Sequence, residues 1–139
     1  MASKKRVLIL CTGNSCRSQM AEAIWRHEAG DDYEAVSAGT QPSSVHPRAE
    51  AVLKEIGVST EGLWSKSIEV FAGQHFDLII TVCDHARDTC PVWPGHGEKL
   101  HWPFEDPAHA TGSEEEILSL FRLVRDQIRE RIQSFLAQS

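Results

Sequence analysis

The sequence lacks any long apolar run. After the basic residues at the amino end, the first apolar stretch covers only Val7–Leu10, which is too short for the core of a signal peptide. No other stretch approaches the length that a membrane-spanning helix needs. We therefore expect no membrane association and predict a cytoplasmic protein.

The sequence also lacks an excess of basic charge and any metal-binding spacing of cysteine and histidine. The formal net charge is −6 over 139 residues, which argues against nucleic-acid binding. No C-x2-C or H-x3-H pattern is present, so no structural zinc site is predicted. An anionic substrate must therefore be attracted by local donors, against the charge of the whole molecule.

Internal repeats, low-complexity segments and linkers are absent as well. The length and an apolar fraction of 41% suit one ordinary hydrophobic core. We therefore predict a single domain over residues 1–139, and nothing in the sequence indicates more than a monomer.

Short apolar runs alternate with helical patterns along the chain. Strands are predicted at 6–10, 33–38, 76–82 and 99–104. Helices are predicted at 18–29 and 47–56 and from 114 onward, with a short helix at 67–72. This alternation predicts an α/β fold, namely a three-layer sandwich in which helices flank a four-stranded, mainly parallel sheet.

Three residues whose side chains could take part in a reaction each follow a predicted strand: Cys11, Cys83 and Asp106. Ligands of open parallel sheets bind beyond the carboxyl ends of the strands. The three residues, although distant in sequence, are therefore expected to converge on one edge of the sheet.

The loop after the first strand carries the strongest functional signal, a C-x5-R-S sequence from Cys11 to Ser18. Backbone N–H groups of such a loop point at an anion, the following helix adds its positive end, and Arg17 offers a planar fork of donors. The same field stabilises a thiolate at Cys11, to which Ser18 can donate. The predicted oxyanion-binding residues are Thr12, Gly13, Asn14, Ser15, Cys16, Arg17 and Ser18.

The purely structural interpretation of this loop is a buried cysteine at the end of a strand and a surface arginine. The Gly, Asn and Ser residues that separate the two favour the anion site instead. Cys16 is expected to be only a small loop residue with no chemistry of its own. Asp106 precedes Pro107 and is a candidate proton donor to a departing oxygen. A turn-capping aspartate is the alternative for Asp106.

Cys83 and Cys90 form a second pair. In a helix they would lie about 10 Å apart at a rise of about 1.5 Å per residue, whereas a disulfide tolerates at most about 7 Å between Cα atoms. They could bond only if the segment unwound, which is typical of a redox switch. Two packed thiols are the alternative.

Together these features resemble the thioredoxin-coupled arsenate reductases, which share the fold of the low-molecular-weight protein tyrosine phosphatases. The resemblance covers essentially the whole chain. It rests on the loop at 11–22, on Thr-Val-Cys and Thr-Cys-Pro around Cys83 and Cys90, and on His-Trp-Pro-Phe-Glu-Asp-Pro-Ala at 101–108.

The resemblance implies an enzyme of arsenic detoxification that binds arsenate in the loop. Cys11 would attack arsenic while Asp106 protonates the leaving hydroxide. Cys83 would then attack Cys11 and expel arsenite, and Cys90 would attack Cys83. Thioredoxin would reduce the resulting Cys83–Cys90 disulfide, with no bound cofactor.

Some members of this group hold potassium near the loop asparagine. Asn14, Glu22 and Ser37 could supply part of such a site, but the further acidic ligand expected at 65–68 is not evident. No metal is therefore predicted.

The main rival is a tyrosine phosphatase that hydrolyses phosphate monoesters with Cys11, Arg17 and Asp106. Phosphatases of this fold usually carry an aromatic residue after the Asp-Pro, where this chain has Ala108 and then His109. This difference favours a small free oxyanion, with weak side activity on aryl phosphates. A non-enzymatic oxyanion sensor is a third interpretation, but it would need neither Asp106 nor the second cysteine pair.

Overall fold

The structure is a computed structural model that describes residues 4–82 and 93–138. Cys83 and Cys90 therefore lie outside the described residues. The described elements are β1 (Lys5–Cys11), α1 (Arg17–Ala29), β2 (Tyr33–Gly39), α2 (Pro47–Glu55), β3 (Leu78–Thr81), β4 (Glu98–His101) and α3 (Glu114–Gln138), with 3-10 helices at Ile68–Phe71 and Pro107–His109.

The four strands form one sheet in the order β2-β1-β3-β4. Every neighbouring pair is parallel, and the register sets Cys11 opposite Gly39 and Leu10 opposite Thr81. The predicted mainly parallel sheet is confirmed and is wholly parallel. Because β1 is central and flanked by β2 and β3, the residues that follow all three strands meet at one edge.

The two faces of β1 explain its continuous apolar run. Val7 and Ile9 belong to a core that includes the buried sides of the three α-helices. Leu8 and Leu10 belong to a second apolar layer with Phe76 and Trp93. The sheet thus lies between two apolar layers, in agreement with the predicted sandwich.

The long carboxy-terminal helix packs as its sequence periodicity predicts. Its inward stripe includes Phe121 and Ile128, which are fully buried. The helix starts with a reciprocal cap, since the Glu116 N–H donates to Ser113 Oγ (3.1 Å) and the Ser113 N–H donates to Glu116 Oε1 (3.0 Å). Among the described residues, no helix has the length and apolar character needed to cross a membrane.

Two predicted elements have different bounds. The fourth strand ends at His101 rather than at Phe104, so the segment before Pro107 is free to leave the sheet and approach the loop after β1. The short helix predicted at 67–72 is a single 3-10 turn, which Ser67 caps by accepting from the Glu69 N–H at 3.2 Å.

Candidate active site at the carboxyl edge of the sheet

The predicted anion loop lies where the pattern placed it. Cys11 is the last residue of β1 and Arg17 is the first residue of α1, so the residues between them form the turn from strand to helix. Cys11 is buried. The site therefore stands on two rigid elements, and the amino end of α1 faces the loop.

Two positions give the loop its shape. Asn14 has a φ of 47°, in the left-handed region that asparagine tolerates better than most residues. Gly39 lies beside it on β2, and a Cβ at that position would approach Thr12 O to 2.4 Å. Asn14, rather than Gly13, thus supplies the unusual dihedral, and Gly39 allows the close approach of loop and strand.

The loop carbonyls are bonded to neighbouring segments. Thr12 O accepts from the Gln41 N–H (2.9 Å), Gly13 O from the Ser43 N–H (3.2 Å), and Ser15 O from the His46 N–H (3.1 Å). Carbonyls held in this way leave the loop N–H groups as the donors for an anion. The polar segment 40–46, to which the sequence pattern assigned no role, therefore holds the loop in place.

The sulfur of Cys11 is surrounded by donors. Its Sγ lies 3.0 Å from Ser18 Oγ and accepts from the Asn14 N–H at 3.2 Å. The Ser18 hydroxyl can donate to the sulfur in the same way as the Asn14 N–H does. The predicted contact between Cys11 and Ser18 is present.

The Asn14 side chain connects the loop to β2. Its Nδ2 donates to Ser18 Oγ (2.8 Å) and to Ser37 Oγ (2.9 Å). Its Oδ1 accepts from the Lys66 N–H (2.8 Å) and from Gln19 Nε2 (2.9 Å). These partners fix the orientation of the amide.

Arg17 is held at the mouth of the site. Its Nη1 donates to Val82 O (3.3 Å), just after β3, and to Phe104 O (3.1 Å), after β4. Its Nη2 lies 3.5 Å from Asp106 Oδ2. The guanidinium is thus anchored through Nη1, and its Nη2 faces the candidate acid.

Asp106 forms the turn cap that is one of the two interpretations of its sequence position, and its role as a proton donor stays a prediction. Its Oδ1 accepts from the Ala108 N–H at 3.0 Å and so caps the short 3-10 helix. Its Oδ2 faces Arg17 and also lies 3.3 Å from Nε2 of the exposed His109. The cap holds the carboxyl group in place, with its second oxygen turned toward Arg17 and His109.

Cys16 lies in the loop but is a poor nucleophile. Burial, and then the negative charge of Asp106, raise the pKa of its thiol from 9.0 to about 12. A thiol with this pKa is protonated at neutral pH and unreactive. Burial thus accounts for the expectation that Cys16 has no chemistry of its own.

A buried ion-pair cluster lies behind the loop. The carboxylate of Glu22 on α1 is fully buried, and its Oε1 accepts from Ser37 Oγ at 2.6 Å. Lys66 Nζ lies 3.5 Å from Oε1, and Arg26 Nη2 lies 2.6 Å from Oε2. Burial lowers the pKa of Lys66, and the charge of Glu22 opposes that shift.

The structure therefore brings together Cys11, Arg17, Ser18 and Asp106, as predicted. The second cysteine pair, Cys83 and Cys90, is outside the described residues, and its prediction stays a prediction. Sequence reasoning did not predict that Lys66 contacts Asn14 of the loop or that His109 lies beside Asp106. Within residues 4–82 and 93–138, no three side chains of His, Cys, Asp or Glu converge as metal ligands.

Comparison with known proteins places this geometry in context. The family model for low molecular weight phosphotyrosine protein phosphatase matches residues 6–139. The chain is 45% identical over 133 residues to an arsenate reductase of Halalkalibacterium halodurans, with 96% of each chain covered.

Solved structures agree. A structure described as an arsenate reductase in the phosphate binding state superposes with a TM-score of 0.81 at 34% identity, covering 96% of this chain and 98% of the other. A thioredoxin-dependent arsenate reductase of Corynebacterium glutamicum superposes with a TM-score of 0.68 at 31% identity, covering 100% of this chain and 66% of the other.

Proposed function

The chain belongs to the low molecular weight phosphotyrosine protein phosphatase family, and from that premise we propose that it reduces arsenate to arsenite through a relay of three cysteines. The observation that favours reduction over hydrolysis is the 45% identity, over nearly the whole of both chains, to a protein named arsenate reductase. The role that follows is arsenic detoxification.

The first step uses the residues that the structure brings together. Arsenate binds the loop N–H groups and Arg17, and the Cys11 thiolate attacks arsenic. An arsenic–sulfur bond forms, and one oxygen leaves as water with a proton from Asp106. The contacts of Cys11 Sγ with Ser18 and Asn14 support this role, because they stabilise the thiolate.

The second step is the reduction itself. The Cys83 thiolate attacks Cys11 Sγ, and the arsenic–sulfur bond breaks with its electron pair passing to arsenic. Arsenic(V) thereby becomes arsenic(III) and leaves as arsenite, while Cys11 and Cys83 form a disulfide. The part played by Cys83 rests on the sequence and on the family resemblance.

The last steps restore the enzyme. Cys90 attacks Cys83, which frees the Cys11 thiolate and leaves a Cys83–Cys90 disulfide. A dithiol reductant then supplies two electrons, and thioredoxin is the proposed donor. The support is a single structural neighbour whose description includes thioredoxin dependence.

The test is arsenate turnover with thioredoxin, thioredoxin reductase and NADPH. We expect sustained turnover by the wild-type chain, at most one turnover by Cys90→Ser, and a large loss of rate in Asp106→Ala. Asp31→Ala, at an exposed turn, is the matched control and should be unaffected. Sustained turnover by Cys90→Ser would exclude the relay.

Hydrolysis of phosphate monoesters is the second candidate function, because Cys11, Arg17 and Asp106 also suffice for a phospho-thiol intermediate. The family model carries the phosphatase description. The same preparations should therefore be assayed with an aryl phosphate, on which we propose weak side activity. Fast hydrolysis without arsenate reduction would favour the phosphatase. Activity with glutaredoxin or a small thiol but not thioredoxin would correct the donor alone.

A further inference from the structure

The fourth strand has one side without a partner. β4 is an outer strand of the sheet, and within the described residues it pairs with β3 alone. The N–H groups of Glu98 (3.0 Å) and Trp102 (2.8 Å) donate to carbonyls on the β3 side. Because backbone groups alternate in direction along a strand, Lys99 and His101 turn their N–H and C=O groups away from the sheet. An edge of this kind can accept a further strand.

A cleft of about 460 Å³ lies beside this edge, between β4 and the last turns of α3. Leu100 and Phe135, both partly buried, contribute its apolar wall. Its two charged residues are the exposed Glu98 and Arg131, and among the described residues neither forms an ion pair. The Arg131 guanidinium lies instead over the Trp102 ring, with Cζ 5.2 Å from the ring centroid. The cleft thus offers one free charge of each sign to a partner.

One register pairs this edge with a second copy of itself. In an antiparallel pair with a twofold axis at Leu100, Lys99 of each copy lies opposite His101 of the other. These two residues then exchange both of their outward N–H···O=C bonds, on each side of the axis. A shift by one residue would set outward backbone groups against inward ones. The edge is therefore complementary to itself in its backbone.

The same register brings the charges of the two copies together. Glu98 and Trp102 lie on the α3 face of the sheet, two residues before and after Leu100. Glu98 of one copy is therefore opposite Trp102 of the other, with about 4.5–5.5 Å between their Cβ atoms. Arg131 covers that indole ring, so it meets the carboxylate. The axis repeats this contact, and both free charges of each cleft gain a partner.

We propose that the β4 edge and the cleft beside it bind a second copy of this chain, so that the protein forms a twofold dimer with one continuous sheet. A second copy fits better than an unrelated strand, because a single register matches both the backbone groups and the charges. The monomer expected from the sequence pattern would leave Glu98 and Arg131 without partners. This dimer requires no arsenate or phosphate chemistry, so it does not depend on the proposed function.

The other face of the paired strands sets the conditions of the test. There the Lys99 ammonium of one copy lies beside the His101 imidazole of the other, and each His101 Nδ1 is 2.7 Å from Thr81 Oγ1 of its own chain. Repulsion arises at this contact only when the imidazole is protonated. Association is therefore measured at about pH 8, where histidine side chains are ordinarily uncharged.

The experiment is sedimentation equilibrium of the full chain from micromolar to millimolar concentration, with a reductant present to exclude disulfides between chains. The variants are Lys99→Pro, Glu98→Arg and Arg131→Glu. Lys99→Pro removes an outward N–H but no bond to β3, and proline is accepted where an edge strand faces solvent. Glu61→Arg, at an exposed glutamate in the turn region after α2, is the matched control.

We expect a reversible dimer for the wild type and for Glu61→Arg. Lys99→Pro should raise the dissociation constant at least about tenfold, because each dimer loses two backbone hydrogen bonds. Glu98→Arg and Arg131→Glu alone should each raise it about tenfold, because like charges then meet twice. An equimolar mixture of these two variants should associate as the wild type does, since every arginine again faces a glutamate.

A wild-type chain that stays monomeric up to millimolar concentration overturns the proposal. A dimer that persists unchanged in all three variants uses another surface and overturns it as well. A mixture that associates no better than its two components would exclude the proposed register.

Backbone amide exchange of the wild-type chain, followed by NMR, gives a second readout that needs no variant. The Lys99 and His101 amides should exchange more slowly as the protein concentration rises. The amides of Glu98 and Trp102, which are bonded within each chain, serve as internal controls. Exchange at Lys99 and His101 that does not depend on concentration overturns the proposal, whether or not the variants fold.

Discussion

Two clusters in this molecule place a glutamate between two cations, and their surroundings differ. At the site, the fully buried Glu22 lies between Lys66 and Arg26. On the surface, Glu55 is 38% exposed and joins Arg122 (2.8 Å) and Arg125 (3.0 Å), so it links α2 to α3.

The difference shows that environment decides what an ion pair does. The surface cluster is screened by water and salt and therefore contributes little to the stability of the fold. This holds although Glu55 accepts hydrogen bonds from both arginines. The inner cluster is buried and lacks such screening, and its hydroxyl partner, Ser37, also accepts from the loop residue Asn14. The surface pairs therefore join two helices, whereas the buried pair joins α1 to β2 and to the segment that holds Lys66.

The largest expected effect comes from the nucleophile in the loop in front of the inner cluster. We expect Cys11→Ser to reduce arsenate reduction to background, because a hydroxyl at this position is neither ionised at neutral pH nor able to form the relay disulfide. Far-UV circular dichroism and thermal melting should remain near wild type. Measurable reduction by this variant would remove Cys11 from the mechanism.

The next effect concerns the acid. Asp106→Asn keeps an oxygen to cap the Ala108 N–H but has no proton of suitable acidity to give. We expect kcat to fall by a factor of about 10²–10³, within the range for general acid catalysis. Steady-state arsenate kinetics check this, and a variant within twofold of wild type would leave Asp106 with a capping role alone.

A smaller effect contrasts the two glutamates directly. Glu22→Gln leaves the Lys66 ammonium buried without its carboxylate, and we expect a loss of about 3 kcal/mol in the free energy of unfolding. Glu55→Gln should cost far less, because water replaces the lost partner. Urea titration of both variants measures the contrast, and equal losses would refute the role assigned to burial.

The smallest effect is a pH dependence at the surface. The hydrogen bonds from Arg122 hold the pKa of Glu55 below its ordinary value of 4.5, against an opposing effect of burial. A lowered folded-state pKa stabilises the fold above the unfolded value and loses that contribution as the pH falls through the folded value. The stability difference between wild type and Glu55→Gln should therefore shrink below about pH 4.5 and also at high salt.

The parts of the site that follow from local pattern were predictable. The apolar run of β1, the loop composition and the C-x5-R spacing lie within one continuous segment, and together they fix a strand, a turn and a helix start. The convergence of Asp106 on this loop followed from the rule that parallel strands end at one edge.

Contacts between distant segments were not predictable. Lys66 meets Asn14 across 52 residues of sequence, and a lysine in a polar stretch gives no sign that its ammonium is buried. The role of segment 40–46 likewise depends on backbone hydrogen bonds, which carry no side-chain signal. The role of Asp106 was not predictable for a related reason, because an aspartate before a proline is expected both for a turn cap and for a proton donor.

The most direct test of the relay is a single-turnover trap. Cys90→Ser, fully reduced and then exposed to excess arsenate without thioredoxin, should release one arsenite per chain and accumulate a Cys11–Cys83 disulfide, detected by peptide mass spectrometry. Release of several arsenites per chain, or of one arsenite without that disulfide, would contradict the proposed three-thiol mechanism.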